Sequence, residues 1–432
     1  MARVRPFAAV RYRHDERDLT ALTAPPYDVI SPTERAALIA KDPHNVVALE
    51  LAEGPLDAEA AGNRYATAAT RWAAWRSEGI LATDPERALY ILEQRYELAG
   101  IAIRRRAVIA EVGLEPFSAS VILPHERTLP KALGDRFELI KATGANLSQI
   151  FGLFDDAAGE TDAVFARVTS TEPTATATDA DGVESVLWRL TDPALIAAFA
   201  KALADKPIFI ADGHHRYTTA LAYRDLRREQ ATAAGSIAED PPYDYVMMAL
   251  VNMEDPDLVV LPTHRVADAV NEFDAESFFA ALRPLFLCEE IPVEDVATAL
   301  QLSQTPAFLV KAKGDDRVLR LTLREDADVD ALIGVPRSSA WKHLDVAILH
   351  ELILDPLLDI HADRPETLAR LGFVKDTQAA LESTLEHDVV FILRPTRMDQ
   401  LRAVALAGET MPQKSTYFYP KLLSGLVMRA AD

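Results

Sequence analysis

The segment Ile208-Phe209-Ile210-Ala211-Asp212-Gly213-His214-His215-Arg216-Tyr217 changes its periodicity within a few residues. Its first half is an apolar run of strand length behind Pro207. Its second half opens a helical pattern that continues from Tyr217 to Glu229. A buried strand must therefore end in a tight turn and hand over at once to a helix. Gly213 lets the backbone turn sharply or approach a ligand closely. The new helix presents unpaired N–H groups and the positive end of its dipole, and Arg216 adds a planar fork of donors suited to phosphate oxygens. A carboxylate, Asp212, stands at the same place, and a carboxylate beside phosphates usually means a bridging Mg²⁺. Asp-Gly alone is an ordinary helix cap, but two histidines, an arginine and an aspartate within five residues of a buried strand are not. Zinc suits the pair poorly, because the adjacent side chains of His214 and His215 diverge.

The rest of the chain bounds what this turn can serve. Its 432 residues make room for two or three domains, and 49% hydrophobic residues supply a sizeable core. A formal net charge of -21 repels phosphate backbones at long range, so nucleic acid is not an expected partner. The one cysteine, Cys288, excludes an intrachain disulfide or a cysteine zinc cluster and reads as a small buried hydrophobe. No signal-like run follows the basic Met1 to Phe7, and no stretch approaches the ~20 apolar residues of a membrane span. The expectation is a cytoplasmic protein without a membrane partner; its oligomeric state is not readable.

Hydrophobic patterning predicts an α+β fold with several mixed sheets in three regions: 1–120 packed on the core, 121–265 as the core, and 266–432 as a C-terminal α/β region. In the first, Ser31, Pro32 and Glu34 form a capping box, 58–79 reads as helix, and 88–97 and 105–114 read as strands turning near Gly100. Arg104-Arg105-Arg106 reads as a solvated strand edge. In the second, 123–144 starts as a loop and becomes helix, 155–180 reads as an exposed and partly mobile loop with strand pieces, and 195–203 reads as helix. Residues 245–252 and 258–262 read as a strand pair. In the third, 276–285, 293–302 and 340–354 read as helices, 307–313 and 318–323 as a hairpin, and 389–393 as a strand. Asn146-Leu147-Ser148-Gln149 reads as a cap or turn.

The strand-Asp-Gly-His-His-Arg-aromatic-helix segment resembles the phosphate-binding motif of the ParB/sulfiredoxin superfamily, in the version carried by the free-serine kinases. Leu123-Pro124-His125-Glu126-Arg127, with Lys131 following, is similar to those kinases' Pro-His-Glu segment. Met411-Pro412-Gln413-Lys414-Ser415-Thr416 is similar to their C-terminal Pro-Lys-Thr-Thr segment. The three come in the same order and total about 25 residues. The whole chain also resembles a large uncharacterised bacterial family that shares Ala24-Pro25-Pro26-Tyr27-Asp28-Val29, the Asp-Gly-His-His-Arg core, Leu261 to Arg265 and Lys414-Ser415-Thr416-Tyr417-Phe418.

The kinase resemblance implies a ParB/sulfiredoxin-like core that phosphorylates the hydroxyl of a small metabolite, free L-serine first. Glu126 is then the general base, Asp212 the Mg²⁺ ligand and His215 a further catalytic group. Gly213, His214, His215 and Arg216 hold the donor phosphates, whether of ATP, ADP or pyrophosphate. Lys414, Ser415, Thr416 and His125 hold the substrate. Asp28, Arg127, Lys131, His264 and Arg265 are weaker candidates, and Arg136 adds charge nearby. Lys414 is not part of a P-loop, since Gln413 stands where that pattern needs glycine. Three alternatives remain at this point: the same chemistry on another metabolite, a non-enzymatic ParB-like nucleotide binder, and a sulfiredoxin-like reductase. The second wants a basic DNA-binding helix and the third a cysteine in the phosphate loop, and neither is present in the sequence.

Overall fold

The computed structural model describes residues 2–13, 18–128, 130–236, 238–296, 298–300, 305–362 and 364–431; the side chains of 130–132 lie outside that description. The chain forms two compact units. One comprises residues 1–124, 128–259 and 420–432; the other comprises 125–127 and 260–419.

The larger unit is built on one nine-stranded sheet. Its strands in chain order are β1 (Val4–Arg5), β2 (Leu89–Leu98), β3 (Ile101–Gly113), β4 (Ile122–Leu123), β5 (Ile150–Phe154), β6 (Ala175–Thr178), β7 (Glu184–Leu190), β8 (Ile208–Asp212) and β9 (Tyr245–Asn252). Their spatial order is β4-β8-β5-β9-β3-β2-β7-β6, with β1 also paired to β3. Most neighbours run antiparallel, but β8 runs parallel to β4 and β9 parallel to β5, so the sheet is mixed. The apolar side chains of Ile208 and Ile210 meet Val108, Ala110, Ile150, Met248 and Leu250 in one core. Phe199 and Leu203 from the helix Pro193–Leu203 cover it. Burying each such side chain contributes about 1.5–3 kcal/mol.

Several elements differ from the sequence reading for identifiable reasons. The helix expected over 58–79 is shorter, Arg64–Ser77, because Asn63 caps it by accepting from the Tyr65 and Ala66 N–H groups. The segment 155–180 holds an expected strand piece, β6, but also an unexpected helix, Asp162–Thr169, whose Val164, Phe165 and Val168 form an apolar i, i+1, i+4 face buried in the core. Strands β9 and Val259–Leu261 are not paired to each other, since both sides of β9 are taken by β3 and β5. Arg105 is buried, not solvated. It stands on the same inward phase of β3 as Ile103 and Ala107, and β3 is an interior strand. The capping box at Ser31, Pro32 and Glu34 forms as expected.

The smaller unit carries a six-stranded antiparallel sheet. Its strands are β10 (His264–Ala267), β11 (Phe286–Ile291), β12 (Ala307–Ala312), β13 (Val318–Leu323), β14 (Leu371–Val374) and β15 (Val389–Ile392), in the order β11-β13-β12-β15-β10-β14. The expected hairpin is β12–β13. The helix expected at 293–302 lies partly outside the described residues, and the described part shows only a 3₁₀ turn, Val293–Asp295. The 340–354 helix is broken into Ser339–Lys342, Asp345–Leu349 and a π turn, His350–Leu354. Cys288 sits half-buried on β11. Among the described residues no helix is long and apolar enough to cross a membrane.

Candidate phosphate site and candidate substrate loop

In the larger unit, β8 delivers Asp212 through an irregularity in its pairing with β5: Ile210 faces Gly152, but Asp212 faces Phe151. Such a slip re-aims the side chain at a strand end. The backbone then turns through Gly213 at φ 93°, a left-handed conformation that only glycine adopts cheaply, and the twenty-residue helix His214–Ala233 starts. No side chain caps that helix. The Gly213 N–H donates to Asp212 Oδ1 at 2.8 Å.

The other oxygen of Asp212 is held by a residue the sequence reading did not assign. Lys421 Nζ lies 2.8 Å from Asp212 Oδ2. Lys421 is itself positioned by its backbone: Gln94 Nε2 donates to the Lys421 carbonyl at 3.0 Å, and buried Arg105 donates to the Pro420 carbonyl. Burial opposes ionisation of Asp212, but Lys421, Arg216 and His214 outweigh it and hold the carboxyl far below the usual carboxylate range. Asp212 is therefore a carboxylate throughout the neutral range. His214 is buried and His215 half-buried.

Arg216 folds back over the turn. A Cβ on Gly213 would stand 2.9 Å from Arg216 Nε and 3.0 Å from Nη2. Arg216 Nη1 donates to the Gln149 carbonyl, which gives the Asn146–Gln149 segment a function beyond that of a turn. Arg216 Nε is buried without a hydrogen-bond partner among the described residues. Tyr27 belongs to the same neighbourhood: burial pushes its phenol up to about 12, opposed by Arg136 and Arg216. Its neighbour Asp28 is exposed. Arg136 pairs with buried Glu50 at 2.9 Å and stacks on the Tyr27 ring at 4.0 Å. Its charge is spent on the fold, so it is not a spare phosphate ligand. Lys131 has its side chain outside the described residues.

In the smaller unit, three separate sequence segments come together. His125 is fully buried; its Nε2 lies 2.9 Å from the Thr416 hydroxyl and 4.0 Å from Glu126 Oε1, and its carbonyl accepts from the Met411 N–H. Arg265 is buried and donates to the carbonyls of Thr263, Gln413 and Lys414. Burial pushes the Arg265 guanidinium pKa down, and Glu126 is the charge that opposes this. Glu126 keeps 22% of its side chain exposed, so it is half-buried beside a cation and open to a partner.

The Lys414-Ser415-Thr416 donors differ from one another in use. Lys414 is exposed and adopts φ 56°, a conformation uncommon for a residue with a Cβ and one that clusters at ligand-binding turns. The Ser415 hydroxyl donates to the Pro412 carbonyl and Thr416 meets His125, so both brace the loop. His264 is engaged in the sheet: its Nδ1 accepts from the Leu393 N–H and its Nε2 meets Thr377. Burial, helped by Arg265, lowers its pKa to about 4, so it is neutral and structural. Arg127 is exposed.

Among the described residues no three histidine, cysteine or acidic side chains are grouped to hold a metal. One ionised carboxylate, Asp212, is what the site offers. That fits Mg²⁺ only in the mode where the ion takes one protein carboxylate and completes its shell with phosphate oxygens and water.

With fold and sites described, the chain can be set beside known proteins. It matches over residues 4–347 the family described as "Protein of unknown function (DUF1015)" and belongs to that family. No curated protein matches it. Among solved structures it is similar to a free serine kinase mutant in complex with ADP (12% identity, TM-score 0.34, covering 74% of this chain and 92% of that one). It is also similar to a conserved hypothetical protein from Pyrococcus furiosus (13%, 0.33, 74% and 95%). A third is SbnI with C-terminal truncation from Staphylococcus aureus (12%, 0.36, 74% and 86%). Similarity this distant assigns no activity.

Proposed function

We propose that this protein is a small-molecule phosphotransferase with a ParB/sulfiredoxin-like core, and that free L-serine or a related hydroxylated metabolite is the acceptor. The observation that carries the reading is the turn at Gly213. An uncapped helix start, a buried Arg216 Nε without a partner and an ionised Asp212 gripped by Lys421 stand within five residues, 212–216. Helix N–H groups and a guanidinium bind phosphate oxygens; the carboxylate serves the Mg²⁺ that accompanies them. ATP, ADP and pyrophosphate all present those groups. The partners are therefore a phosphate donor and a small acceptor.

Glu126 accepts the proton of the acceptor hydroxyl. The hydroxyl oxygen then bonds to the terminal phosphorus while the bond to the donor's bridging oxygen breaks, and the donor leaves one phosphate shorter. His214, His215 and Arg216 hold the donor phosphates, Lys421 orients Asp212, and Lys414 holds the acceptor on a loop that His125 braces through Thr416. Asp212 would hold Mg²⁺, which would supply further charge neutralisation.

The test is mass spectrometry for O-phosphoserine after incubation with Mg²⁺, L-serine and each donor in turn. Wild type is expected to form it, and Glu126→Gln and Asp212→Asn to lose at least ~10²-fold in rate. Absence of product with every donor removes serine as acceptor; product from Glu126→Gln at the wild-type rate removes Glu126 as base.

A further inference from the structure

The smaller unit carries a half-open cavity of about 370 Å³ beside Arg127 and the Met411–Gln413 segment, and no role proposed above places a ligand in it. That volume falls in the range of small-ligand pockets, roughly 300–1,000 Å³. Two cations, Arg127 and Arg337, and two acids, Glu351 and Asp355, line it together with Trp341 and His350. The acids feel one another: Glu351 is pushed up by burial and by Asp355, and Arg337 opposes the shift. Asp355 also pairs with His361 Nδ1 at 2.8 Å, and Arg337 lies over the Trp341 ring at 5.5 Å. Arg337 has Glu409 only at 4.0 Å. Each charged group thus keeps bonding capacity toward the cavity.

His350 is the second, independent pointer. It is 95% buried, and neither ring nitrogen has a hydrogen-bond partner among the described residues. Leaving a buried polar group unpaired costs about 1–3 kcal/mol, a penalty that a ligand offering both a donor and an acceptor removes. The histidine opens the π turn His350–Leu354, and such single-turn widenings recur at functional sites. Charges of both signs, a histidine ring with two free nitrogens and an aromatic face in one lining select a ligand that is itself doubly charged. A simple anion would meet Glu351 and Asp355 unfavourably, and a simple cation would meet the two arginines.

We propose that this cavity binds a small zwitterion, an α-amino acid or a derivative of similar size. Its carboxylate is held by Arg127 and Arg337, its ammonium by Glu351 and Asp355, and a polar group by His350. The cavity adjoins Glu126 and Lys414 through Arg127 and Met411–Gln413, so the inference deepens the reading of an amino-acid acceptor, but binding here needs no phosphate donor.

Isothermal titration calorimetry on the full chain, with no nucleotide or Mg²⁺, tests it using the L-amino acids singly. For each that binds, the amine lacking the carboxylate and the acid lacking the amine are then titrated. At least one amino acid is expected to bind more tightly than about 1 mM, and removing either charged group should weaken it at least ~10-fold. Arg337→Gln and Glu351→Gln should each weaken it by a similar factor with the fold unchanged by circular dichroism. The proposal is overturned if no amino acid binds at up to about 10 mM, or if the deaminated acid binds as tightly as its parent. Wild-type affinity in both variants overturns it as well. Phosphoserine formation can fail while amino-acid binding survives, and the converse is equally visible.

Discussion

Replacing Lys421 with methionine isolates the electrostatics of the candidate phosphate site. The substitution keeps the length and most of the apolar stem of the side chain but removes the ammonium 2.8 Å from Asp212 Oδ2. Breaking a fully buried pair costs about 3–5 kcal/mol, whereas exposed pairs are worth about 0–1. Here the two side chains retain 18% and 22% of their exposure, and Arg216 and His214 still offset the stranded carboxylate. An intermediate loss of about 2 kcal/mol follows. The pH dependence gives the argument its sign. The folded-state pKa of Asp212 is depressed, so its contribution is present above the unfolded value near 3.9 and lost as pH falls toward the folded one. The destabilisation should therefore be full at neutral pH and shrink below about pH 4. Urea unfolding of wild type, Lys421→Met, Asp212→Asn and the double variant measures this, and the double-mutant cycle should return a coupling of about 1–2 kcal/mol at neutral pH. A coupling under about 0.5 kcal/mol, or a loss that is the same at both pH values, would refute the claim that Lys421 is what keeps Asp212 ionised.

Three further outcomes are expected. Gly213→Ala places a Cβ at φ 93° and against the Arg216 guanidinium, so it should cost about 1–2 kcal/mol in urea unfolding and weaken ADP or pyrophosphate binding at least ~10-fold; unchanged affinity would argue that Arg216 does not face the phosphates. Phe165→Ala should cost about 3–4 kcal/mol if Asp162–Thr169 packs as core, and a loss below about 1 would return that segment to loop. His350, with a folded pKa lowered to about 3 by burial and then by Arg265, stabilises above its unfolded value of about 6.5 and loses that stability as pH falls. His350→Phe should accordingly remove about 2 kcal/mol of the wild-type decline in unfolding free energy between pH 8 and pH 5; an unchanged slope counts against a buried neutral histidine there.

What could be read from the residues alone follows from the range of the forces that act on them. The strand–turn–helix at 208–217 was legible because periodicity, a left-handed glycine and a helix start are local, and the structure keeps each of them. Lys421 was not, because its partner lies 209 positions away and no local pattern marks it as anything but the end of an aromatic run. A signal was available two steps removed. Arg105 shares the inward phase of Ile103 and Ala107, and a guanidinium buried in a sheet must find acceptors. The acceptors it finds are the Gln94 side chain and the Pro420 carbonyl, and Gln94 in turn holds the Lys421 carbonyl. Reading the three arginines together as a solvated strand edge hid that alternation. The same lesson separates the basic residues that remain. Arg136 spends its donors on Glu50 and Asp135, and Arg265 turns its two terminal nitrogens on loop carbonyls, while Arg216 keeps its buried Nε unpaired beside a helix start. An unspent donor beside an uncapped helix start, which only the fold reveals, is thus what marks Arg216 as the candidate phosphate ligand of the group and makes it the arginine whose loss should abolish donor binding.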